Sequence, residues 1–64
     1  MLADNIKRLR KEKNLSQEQL AQKAGITFST LAKLESGFNQ NPTVKTLQRV
    51  AKALDVTLDE LLKE

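Results

Sequence analysis

Apolar residues recur along this chain at spacings of three and four, without the strict alternation that marks a strand. Leu2, Ile6 and Leu9 fall on one side of a helix over 2–13, with Lys7, Arg8, Lys11 and Lys13 around the other. Val44, Leu47, Val50, Ala51 and Leu54 form a second long stripe. Shorter stripes lie between and after these, at Leu20–Ala21–Ala24, Leu31–Leu34 and Leu58–Leu61. The pattern predicts an all-α protein of five helices and a mostly aliphatic core. Its members are Ile6, Leu9, Leu15, Leu20, Ala21, Ala24, Ile26, Leu31, Leu34, Val44, Leu47, Val50, Ala51, Leu54, Val56, Leu58 and Leu61.

Four of the helix starts carry the same local signal. A residue that packs precedes Ser or Thr, and a Leu follows four positions after that cap. The sets are Leu15-Ser16 with Leu20, Ile26-Thr27 with Leu31, Pro42-Thr43 with Leu47, and Val56-Thr57 with Leu61. Each reads as an N-cap closed by a hydrophobic staple. Gln19 and Glu60 complete capping boxes with Ser16 and Thr57. Helix ends are marked by Asn14, Gly25, Gly37 and Asp55. Glycine adopts the left-handed C-terminal conformation freely, and Asn is the side-chain-bearing residue most at ease there. Phe38 to Pro42 reads as a loop from its Asn and Pro content.

The stretch from Ser16 to Gly37 is then two short helices with a tight turn at Gly25. So short a joint makes them cross steeply and holds the second out at the surface. Leu31 and Leu34 define its buried side. At about 100° per residue, Ser29, Lys33 and Ser36 point the opposite way, with Ala32 on the flank and Phe28 in the first turn.

Composition narrows the chemistry. With 64 residues the chain makes one domain with one small core. It contains no Cys and no His. That removes a disulfide framework, thiolate metal sites, and the commonest general base and metal ligand. Asp55, Asp59 and Glu60 fit helix-end and helix-start positions rather than a catalytic pair. The expectation is a non-enzymatic protein without cofactor or metal. No membrane span or signal peptide is visible, which predicts a cytoplasmic location. The net charge of +3 is unevenly spread. Residues 1–54 hold ten basic against four acidic side chains, and residues 55–64 hold one against four. A basic body with an acidic end suits a polyanionic partner.

The segment Leu15-Ser16-Gln17-Glu18, Leu20-Ala21, Ala24-Gly25-Ile26-Thr27, Ser29-Thr30, Leu34-Glu35 and Gly37 resembles the helix-turn-helix of the phage repressor and Cro-type transcriptional regulators. The likeness continues through Asn41-Pro42-Thr43, Leu47, Ala51-Lys52-Ala53-Leu54, Val56 and Leu58-Asp59-Glu60-Leu61-Leu62. It covers nearly the whole chain. Asn14 and Asp55 depart from it, since the family often has Gly at both places, and the loop after Gly37 is about one residue longer than its commonest form.

The resemblance implies a compact lambda-repressor-like fold over residues 1–64, a single helix-turn-helix DNA-binding domain. It implies sequence-specific binding of double-stranded DNA with the third helix in the major groove, as in a repressor. It also implies that Glu35 pairs with Arg10 beneath that helix. The candidate DNA-contacting residues are Gln17, Thr27, Phe28, Ser29, Ala32, Lys33, Asn39, Gln40 and Lys45. Lys33 suits guanine O6 and N7, or a phosphate, Phe28 and Ala32 a thymine methyl, and Gln17 a phosphate at the start of its helix. Asn39, Gln40 and Lys45 suit further phosphates. Leu58 and Leu62 exceed what a small core needs and are the candidate interface of a homodimer on a palindromic operator. The alternative is a protein-interaction module, or an antitoxin-like autoregulator, that keeps the fold.

Overall fold

The computed structural model describes residues 1–39 and 41–64. Among them the chain forms α1 (Leu2–Glu12), α2 (Gln17–Ala24), α3 (Phe28–Ser36), α4 (Val44–Ala53) and α5 (Leu58–Leu62), and no strand. Three of the joints use one three-residue device. Asn14, Gly25 and Asp55 adopt φ of 58°, 71° and 57°. The next residue, Leu15, Ile26 or Val56, donates its amide back to the carbonyl of Arg10, Ala21 or Ala51. That closes the helix in a Schellman turn. The third residue, Ser16, Thr27 or Thr57, then caps the following helix through its hydroxyl. One apolar residue thus seals the end of one helix and the start of the next.

The caps follow the local signals closely. Ser16 with Gln19 and Thr57 with Glu60 form reciprocal capping boxes. Thr27 and Thr43 instead bond the backbone amide and hydroxyl of Thr30 and Thr46. α1 ends at Glu12, with Lys13 already its C-cap, one residue earlier than the expected 2–13.

The core is aliphatic. Ile6, Leu20, Leu31, Leu34, Val50, Leu54 and Leu61 are fully enclosed, and Leu15, Ile26, Val56 and Leu58 pack half-buried around them. α1 packs on α3 and α5, α2 on α3 and α4, and α4 on α5. The body measures 24 × 21 × 19 Å. Val44 does not join this core, contrary to the periodicity. It is 62% exposed, because it sits in the first turn of α4 at the edge of the stripe. Ala53 is buried although it lies off that stripe.

α5 has five residues, too few to persist alone. It is tied down by Asn5 of α1, whose Nδ2 donates to the carbonyls of Leu61, at 2.9 Å, and Lys63. These bonds satisfy carbonyls that a helix end would otherwise leave open.

Candidate nucleic-acid interface

The inner side of α3 carries one charged residue among its leucines. Glu35 is 4% exposed. Its carboxylate receives Arg10 Nε at 2.7 Å on Oε2 and Arg10 Nη2 at 3.1 Å on Oε1. Such a two-pronged pair fixes orientation as well as distance. Arg10 Nη1 also donates to the Leu15 carbonyl at 2.7 Å, and Gln17 Nε2 donates to Glu35 Oε1 at 3.2 Å. Four places are thereby locked together: α1, the joint after it, the first residue of α2, and the last turn of α3. The pair lies deeper than a flanking, partly solvated contact, with Arg10 and Glu35 side chains 12% and 2% exposed.

The outer side of α3 is open. Ser29 and Lys33 are exposed, Ala32 is half-buried, and Phe28 at the first position is 50% exposed. Leu31 and Leu34 are turned inward, so Ser29 and Lys33 share the face directed away from the core. Thr27 is exposed at the N-cap, its hydroxyl 2.8 Å from that of Thr30. Gln17 is half-buried, and one amide hydrogen is committed to Glu35, which leaves the backbone amides of Gln17 and Glu18 and the second side-chain hydrogen for any anion. Asn39 is half-buried and accepts the Asn41 amide at 3.2 Å on Oδ1. Lys45 is exposed in the first turn of α4, at the positive end of that helix's dipole. Gln40 lies outside the described residues. Ser29, Ala32 and Lys33 are therefore gathered on one helix face, whereas Gln17 and Lys45 belong to the starts of two other helices and Asn39 to the loop after α3.

A family model described as helix-turn-helix matches residues 6–61. The chain belongs to that family. In that frame α2 and α3 are the two helices of the motif and Gly25 is its turn. The regulator SinR of Bacillus subtilis is 41% identical over 64 residues, covering 100% of this chain and 58% of SinR. The immunity repressor of Bacillus phage phi105 is 40% identical over 63 residues, covering 98% of this chain and 43% of the repressor. The chain thus spans about half the length of these relatives. A crystal structure of SinR, described as the master regulator for biofilm formation, in complex with DNA matches 98% of this chain and 100% of its own. The two share 40% identity and a TM-score of 0.94.

Two features of this helix-turn-helix domain escaped the periodicity. Ser36 is exposed on the α3 face, yet its hydroxyl is turned back onto the chain. It donates to the Lys33 carbonyl at 3.2 Å and accepts the Phe38 amide at 3.3 Å. Phe38 is 79% exposed, and Lys33 Nζ lies 5.9 Å from the centre of its ring. No sequence spacing signals that contact, because it depends on how the chain leaves α3. Leu62 is 44% exposed, while Leu58 is half-buried against its own core.

Proposed function

We propose that residues 1–64 form the single DNA-binding domain of a cytoplasmic transcriptional repressor, with α3 laid in the major groove of double-stranded DNA. The observation that carries this reading is the outward face of α3. Ser29, Ala32 and Lys33 share it, and the Arg10–Glu35–Gln17 set beneath the helix fixes its orientation. Two of the three side chains are small, so the helix backbone approaches the groove floor closely. Lys33 then reaches guanine acceptors, and Ala32 and Phe28 meet thymine methyls. Gln17, Thr27, Asn39 and Lys45, at helix starts and in the loop after α3, grip phosphates. The likeness to SinR solved with DNA supports the same use of the fold. A single helix reads few base pairs, so two copies on a palindromic operator supply the specificity, meeting near Leu62.

The test separates reading from gripping. Bound sequences are selected from random duplex DNA, and affinities are measured on the selected site and on a scrambled duplex at several salt concentrations. Lys33→Ala is expected to cost about 1–3 kcal/mol on the selected site and much less on the scrambled one. Lys45→Ala is expected to weaken both by similar factors, since every duplex presents phosphate. Log affinity should fall steeply with log salt as counterions are released. Equal losses on both duplexes for Lys33→Ala would make it a phosphate contact. A salt slope near zero would favour the interaction-module alternative.

A further inference from the structure

We infer that Phe38 is a positioning residue for Lys33, and so a determinant of which base Lys33 reads. The inference rests on the proposal that Lys33 faces base edges. The chain has two aromatic residues, and both are exposed at the ends of α3. A single exposed Phe needs no explanation of its own. What sets Phe38 apart is the way its place is fixed. After Gly37 turns left-handed, with φ of 81°, the chain folds back over the end of α3. The Lys33 carbonyl gathers two donors there, the Ser36 hydroxyl at 3.2 Å and the Asn39 amide at 3.2 Å. Ser36 Oγ in turn receives the Phe38 amide. The backbone on both sides of Phe38 is therefore anchored to the residue whose ammonium stands over its ring.

A lysine side chain has four rotatable bonds and roams widely when exposed. The negative face of an aromatic ring within about 6 Å attracts the ammonium and narrows that range. No acidic group shares the task, since the acids that form ion pairs among the described residues are Glu12 and Glu35, held by Arg8 and Arg10. Ordering Lys33 before binding lowers the entropy lost when it engages a base. The restraint also holds the ammonium at the C-terminal end of α3, which favours a guanine at one position over its neighbour. A water-excluding groove strengthens the contact further.

The experiment is a double-mutant cycle on the selected duplex and the scrambled duplex. It uses the wild type, Phe38→Leu, Phe38→Tyr, Lys33→Ala and the Phe38→Leu/Lys33→Ala double variant. Phe38→Leu keeps bulk and loses the ring. It is expected to weaken the selected site roughly three- to tenfold and the scrambled duplex hardly at all. Phe38→Tyr is expected to restore nearly full affinity. In the Lys33→Ala background, Phe38→Leu should have no further effect. Free in solution, the Lys33 ε-methylene protons should show an upfield ring-current shift that Phe38→Leu abolishes. Additive losses in the cycle would overturn the inference and make Phe38 an independent contact. If Lys33→Ala alone left selected-site affinity unchanged, the base-reading proposal would fail instead, while the ring-current shift would still report whether the ring holds the ammonium.

Discussion

Glu35 is the residue on which the orientation of α3 depends. A carboxylate this deep is costly to desolvate, and the cost is offset only while Arg10 and Gln17 supply their donors. Replacing Arg10 alone with Met, or Glu35 alone with Leu, should therefore destabilise the domain by about 3–5 kcal/mol, because the remaining charge is stranded. Replacing both, as in Arg10→Met with Glu35→Leu, should recover much of that loss. Urea unfolding of the four proteins checks it, and a double variant whose loss equals the sum of the two single losses would show that the two do not act as a unit. The resemblance to the repressor family pointed to these two residues, since nothing in the periodicity links positions so far apart. Gln17 was read from its place at a helix start. Its hydrogen bond to Glu35 was not legible, because it depends on how α2 and α3 cross.

At the scale of elements, most of the fold was legible because most of its signals are local. A cap, a staple and a left-handed residue each act within about five positions of one another. The repeated joint Asn14-Leu15-Ser16, Gly25-Ile26-Thr27 and Asp55-Val56-Thr57 is made wholly of such signals. Its middle member serves two helices at once, which is why all three joints are so short. The first member is glycine in one joint and carries a side chain in the other two. A left-handed φ strains a residue with a Cβ, less so for Asn and Asp than for others. Asn14→Gly and Asp55→Gly are each expected to stabilise the domain by about 0.5–1 kcal/mol, and Gly25→Ala to destabilise it by about 1–2 kcal/mol. Thermal unfolding checks both signs, and a destabilised Asp55→Gly would mean that its side chain contributes more than the strain it causes. Val44, Ala53 and Asn5 mark where local reading stopped. Helical period assigns a face but not how far a neighbour covers it, and the bonds from Asn5 to the end of α5 span nearly the whole chain.

Across the whole molecule, acidic charge and an exposed leucine come together at α5. α5 packs on α1 and α4, and it carries the acidic end of the chain with Asp59, Glu60 and Glu64 exposed. Leu62 also lies on this side, beside a hollow lined in part by Met1, Leu2, Pro42 and Leu47. Met1 and Leu62 are 74% and 44% exposed. An apolar patch of a few side chains falls well short of the area a stable dimer buries, roughly 1,200 Å² or more. Two acidic ends brought together also repel. Pairing through Leu62 should therefore be weak in free solution and become effective when two half-sites about 34 Å apart hold both copies in place. Leu62→Glu is the variant that isolates this, because Leu62 is exposed and its loss leaves the core intact. Leu58→Glu would not serve, since Leu58 packs on that core and a charge there would unfold the domain. Sedimentation should find the wild type monomeric alone and two copies bound per palindrome. Leu62→Glu should keep the same melting temperature and the same affinity for an isolated half-site. On the full palindrome it should bind about tenfold more weakly and without cooperativity, as expected when an interface anchor is lost. Identical cooperative binding by the wild type and Leu62→Glu would place the contact between copies elsewhere on the molecule.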